Sequence, residues 1–140
     1  MTTALSTRYG FGHRLVLPFA EAVTATKAAL AAEGFGILSE IDVAATLRAR
    51  LGVEREPYLI LGACNPPLAN QALQAEPAIG LLLPCNVVVA AEGPSAARVW
   101  AIDPEQQFAL VENPELAPIA AEVKARLQRA LETLPGAATG

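Results

Sequence analysis

Apolar and polar positions along this chain switch repeatedly between a two-residue and a helical rhythm. Residues 9–17 (YGFGHRLVL) read as a first strand, with Leu15 and Leu17 on one face and Val16 on the other. Pro18 then opens a helix. Phe19, Ala22, Val23, Thr26, Ala29 and Leu30 recur at helical spacing, and Gly34 fits its C-terminal cap. A short strand follows at residues 36–41. Asp42 is a good N-cap, because its side chain accepts a free backbone N–H. Val43, Leu47 and Leu51 share one face of the next helix, and Gly52 closes it. Residues 58–63 (YLILGA) are apolar on both faces and read as a buried strand. Asn65 caps a short helix with Pro66 at its first position and Leu68, Ala69, Ala72 and Leu73 on its apolar side.

Residues 81–92 read as a long strand with Pro84 inside it. Proline cannot donate to a ladder, so an edge position or a bulge is expected there. Gly93-Pro94-Ser95 is a turn, residues 97–102 are the return strand carrying Trp100, and Asp103-Pro104 ends it. Asn113 caps the last helix and Pro114 starts it. Leu116, Ile119, Ala120, Val123, Leu127, Ala130 or Leu131, and Leu134 form its apolar stripe, over roughly 20 residues or about 30 Å. The predicted order is β-α-β-α-β-α-β-β-α. Its hairpin and uneven alternation favour an α+β fold over a doubly wound parallel sheet. Without a repeat or a linker, residues 1–140 are expected to form a single domain with its core at about 8–135 and frayed ends at 1–7 and 136–140.

Composition narrows the function classes. Apolar residues make up 53% and charged residues only 17%, against about 25% in an average domain, which argues against intrinsic disorder. The net charge is −4 and the basic residues are scattered. Lys124, Arg126 and Arg129 are interleaved with Glu122 and Glu132, so the pattern gives no phosphate-binding patch and no nucleic-acid partner is expected. Mean hydropathy is +0.36. Yet the longest apolar stretch, residues 78–91, contains Pro84 and Asn86 and falls short of the roughly 18–20 residues a membrane helix needs. The first eight residues have no apolar signal-peptide core, so a cytoplasmic protein without membrane insertion is expected. A subunit interface is the simplest outlet for the apolar excess, which points to a homodimer.

Chemistry is sparse. Cys64 lies in Gly62-Ala63-Cys64-Asn65-Pro66-Pro67, where a strand ends and a helix begins. A helix N-terminus is partially positive and can lower a thiol pKa, making a nucleophile; the alternative is a small buried apolar residue. Cys85 lies in Leu83-Pro84-Cys85-Asn86, so the Cys-Asn pair occurs twice. If those strands are neighbours, the thiols would share a pocket rim as a redox pair or a two-coordinate site for a soft metal such as Cu(I); otherwise Cys85 fills core space. His13 is a surface residue or a proton carrier or third ligand near Cys64. The cysteine spacing fits no zinc motif, Gly10-Phe11-Gly12 starts no phosphate loop, and Glu40, Asp42 and Glu76 give no recognisable acid pair. Trp100 and Tyr58 are too few for a single-strand stacking platform.

The segments GFGILSEIDV (34–43), PYLILGACNPP (57–67) and EPAIGLLLPCNVVV (76–89) resemble the bacterial and archaeal domain of unknown function 302 (DUF302) family, over roughly residues 9–134. The resemblance implies an α+β domain with a mainly antiparallel sheet, helices packed on one face in a TATA-binding-protein-like topology, and a homodimer. It supplies no activity, catalytic residue or cofactor. The first expectation is therefore a non-enzymatic homodimeric module that binds a small molecule or soft metal near Cys64, Asn65, Cys85, Asn86 and His13. A thiol enzyme or redox sensor with Cys64 as nucleophile and Cys85 resolving it, and a purely structural interaction protein, are the alternatives.

Overall fold

A computed structural model describes residues 4–135; the readings made for residues 1–3 and 136–140 lie outside the described residues. The strands are β1 (Ala4–Ser6), β2 (Gly10–Leu15), β3 (Gly36–Asp42), β4 (Tyr58–Cys64), β5 (Cys85–Ala91) and β6 (Ala97–Ile102). They form one six-stranded sheet in the order β1-β2-β6-β5-β4-β3. Every neighbouring pair is antiparallel. The helices are α1 (Phe19–Ala32), α2 (Val43–Leu51), α3 (Pro66–Ala75), α4 (Pro104–Ala109) and α5 (Ala117–Glu132), with 3-10 turns at Pro77–Leu82 and Pro114–Leu116. This is the α+β architecture the element order predicted, with helices packed on one side of the sheet.

The caps explain where the helices begin and end. The Asp42 carboxylate accepts from the Ala45 N–H at 2.8 Å, and the Asn65 side-chain oxygen accepts from the Leu68 N–H at 3.3 Å. Asn113 does the same for the Glu115 N–H at 3.0 Å, but the element it caps is the 3-10 turn Pro114–Leu116; the last helix itself begins only at Ala117, without a side-chain cap. After α1 the chain turns at Gly34, whose φ of 87° suits glycine. That turn brings the Phe35 N–H to the Leu30 carbonyl at 3.0 Å.

Four other local readings differ. Residues 4–6, expected to be frayed, pair with β2 as an edge strand. The strand expected from residue 81 begins only at Cys85, because Pro77–Leu82 winds as 3-10 helix; Pro84 lies before an interior strand rather than within an edge one. Asp103-Pro104 does end β6, but it also starts α4, with Asp103 accepting from the Glu105 N–H at 2.9 Å. In α2 no residue is fully buried and Leu51 is exposed, so its apolar stripe meets β4 only in part.

The core lies between one sheet face and helices α1 and α5. Leu15, Leu61, Val87, Val89 and Val99 meet Leu30, Leu127 and Leu131 there, all fully or almost fully buried. Strand alternation sends the intervening residues to the outer face: Tyr58 and Ile60 from β4, Val88 from β5, Trp100 from β6 and Ile41 from β3. A water-facing side of an antiparallel sheet normally reads polar at these positions. Here YLILGA is apolar on both sides, yet only one side is packed by α1 and α5.

Candidate functional site

β4 and β5 are neighbours, as a shared thiol site requires. Cys85 pairs with Ala63, and Cys64 follows one residue later, opposite Gly36. Cys85 is buried and turned into the core beside Ala63 and Val87. Alternation turns Cys64 to the other side of the sheet, where it is half-buried. Burial raises both thiols above the ordinary value, and Cys85, further opposed by nearby Cys64, is pushed up to about 11. At the N-terminus of α3, burial thus opposes the lowering that a helix end would give the Cys64 thiol. Asn65 already occupies that end as a cap, and its amide nitrogen reaches back to the Glu33 carbonyl at 3.5 Å.

The remaining expected site residues separate. His13 pairs with Val99, which pairs with Val89, which pairs with Leu59. Three strand spacings thus part it from β4, about 14 Å, and Cys64 lies five residues further along, about 17 Å. His13 does not join the thiols. Asn86 pairs with Gly62 and stands on the outer face, away from the Cys85 side chain. Among the described residues, no three histidine, cysteine or acidic side chains gather as a metal cluster.

Asn86 instead borders a hollow on the outer face. Its volume is about 320 Å³, and Thr7, Tyr9, Gly10, Tyr58, Asn86, Val88, Trp100, Ala101 and Ile102 line it. Cross-strand pairing sets the site: Gly12 stands opposite Trp100, and Trp100 opposite Val88. A Cβ at Gly12 would strike the Val99 carbonyl oxygen and lie 2.9 Å from Trp100 Cδ1. The bare Gly12 backbone is thus what lets the indole lie against β2, an aromatic covering a glycine across the ladder. Arg98 stands 5.7 Å from the Trp100 ring and Arg55 4.9 Å from the Tyr58 ring. Glu92 holds Arg98 at 2.6 Å and Arg14 at 2.9 Å, and these hydrogen bonds keep its carboxyl below the ordinary range. Sequence reasoning missed Tyr9 and Val88 here; glycines of Gly10-Phe11-Gly12 facing an aromatic strand were the available signal.

The DUF302 profile, described as a domain of unknown function, matches residues 11–134. No curated protein matches the chain. In structure the chain is similar to an uncharacterized conserved DUF302 protein from Bacillus stearothermophilus, at 26% identity and a TM-score of 0.83, over 91% of this chain and 99% of that one. With the profile spanning all but the first residue of β2, all of β3 to β6, both thiols and most of the hollow, the chain belongs to the DUF302 family.

Proposed function

We propose that this chain is a non-enzymatic binding module that works as a homodimer, with the outer sheet face as its working surface. The observation that carries this is the apolar character of that face. Ile41, Tyr58, Ile60, Val88 and Trp100 stand where α1 and α5 do not reach. A second copy seated over Ile41 and Ile60 would remove that part of the surface from water and leave the hollow between Tyr58 and Trp100 open, consistent with the low share of charged residues. The soft-metal and thiol-enzyme readings draw less support, because the two sulfurs lie on opposite sides of the sheet and both thiols are raised. The ligand part of the reading rests on the hollow beside Asn86 rather than on the cysteines.

Light scattering on the eluting protein tests the assembly. The expected mass is twice 14.6 kDa. Placing a charge on the outer face, as Ile60→Glu or as Ile41→Glu at a half-exposed position, should yield monomer with unchanged circular dichroism. A wild-type chain that stays monomeric at 100 µM, taken as about a hundred times a tight micromolar dissociation constant, would end the dimer reading. A dimer that survives both substitutions would move the interface off this face.

A further inference from the structure

Resting on the reading of the outer face as the working surface, we propose that the hollow receives a planar, uncharged two-ring compound with an amide-like edge, seated between Tyr58 and Trp100 and hydrogen-bonded to the Asn86 side chain. Size comes first. About 320 Å³ lies near the lower end of small-molecule pockets, which run from roughly 300 to 1,000 Å³, so a compact ring system fits and a peptide does not. Shape comes second. Backbone contacts hold β2 free of side chains beneath the site: a Cβ at Gly10 would lie 2.7 Å from the Ala101 carbonyl oxygen. The floor is flat sheet backbone with Val88 and Ala101, and the walls are rings, which suits a flat ligand.

Polarity comes third. None of the lining residues is charged. Two guanidiniums lie against Tyr58 and Trp100; Arg98 is paired with Glu92, and Arg55 donates to the Glu56 carbonyl. An anion would therefore lose its water for little return. Thr7 Oγ1 is already engaged with the Gly10 carbonyl at 3.3 Å and the Tyr9 N–H at 3.1 Å. The Asn86 amide is different. Asn65 and Asn113 are tied into caps and carbonyls, whereas Asn86 makes no side-chain hydrogen bond among the described residues. A side-chain amide offers a donor and an acceptor side by side, and a lactam edge is their complement.

The chain has one tryptophan, so the Trp100 indole N–H gives a single resonance at the wall of the site. Titration of the nitrogen-15-labelled full chain with isoquinolin-1(2H)-one is expected to shift that resonance saturably. Asn86→Leu, on an exposed position, should keep the circular dichroism spectrum and weaken binding about tenfold, as loss of a hydrogen-bonded pair implies. The anion 1-naphthoate, of similar size, should bind at least about tenfold more weakly by the same conversion. No saturable shift with the lactam, equal binding by Asn86→Leu, or equal binding of naphthoate would each overturn the proposal. So would an indole resonance that moves only with protein concentration, which would mean that a second copy fills the hollow. The mass measurement reads the dimer separately. A dimer without lactam binding overturns this inference and leaves the dimer reading intact; lactam binding by a monomer supports the ligand and overturns the dimer.

Discussion

Leu127→Ala is expected to lower the unfolding free energy by about 3 kcal/mol, within the roughly 2–5 kcal/mol range for emptying a buried leucine site. Leu127 is fully buried in α5 and belongs to the main core with Leu30, Leu61 and Val99. Helix propensity gives no offsetting loss, since alanine is the better helix former. The whole effect is therefore lost contact plus the cavity left between α5, α1 and the sheet. Leu110→Ala is the matched control. It removes the same atoms from a side chain that is 77% exposed, and should change stability by no more than about 0.5 kcal/mol. Urea unfolding of the two variants beside wild type measures both. A Leu127→Ala effect near that of Leu110→Ala would mean that α5 is not the lid of the core.

What the sequence made legible was local. Asp42, Asn65 and Asn113 announced helix starts because a capping side chain acts within three residues of its own position. The α5 stripe was legible for the same reason: Ile119, Val123 and Leu127 repeat within one helix. The run Leu81-Leu82-Leu83 carried no rhythm, so a 3-10 turn and a strand looked alike there. Asp103-Pro104 fits the end of a strand and the start of a helix equally, and α4, six residues long, was too short to show a period. The site was harder still, because it depends on which strands meet and which way each residue faces. Doubling of Cys-Asn raised a shared site only on the condition that the two strands are neighbours, and β4 and β5 are. It did not reveal that β4 and β5 turn Cys64 and Cys85 to opposite sides, or that β6 and β5 stand between His13 and β4. The two-sided apolar pattern of YLILGA was legible as well, but it was read as burial on both faces. Its outer half instead supplies the surface on which the functional proposal stands.

Thiol reactivity is expected to separate the binding module from the thiol enzyme most sharply. With Cys85 pushed up to about 11 from 9.0, its thiolate fraction at neutral pH falls about 100-fold, two powers of ten for two units. Burial in the core slows attack further, because the reagent must reach the sulfur. Iodoacetamide labelling at pH 7.5, followed by peptide mass mapping, should therefore leave Cys85 unmodified long after free cysteine has reacted, and Cys64 should react more slowly than free cysteine. In denaturant both should label at the free rate. The same displacement has a stability consequence with a definite sign. Between pH 9 and 11 the unfolded chain releases the Cys85 proton while the folded chain keeps it, so stability falls with rising pH, by about 3 kcal/mol at most. Below pH 9 both states hold the proton and this contribution is flat. Cys85→Ala should remove the Cys85 part of the alkaline loss and leave the part from Cys64, which is also raised. If Cys64 instead labels faster than free cysteine, with an inflection below pH 8, the helix end is activating it after all, and the nucleophilic reading replaces the binding module.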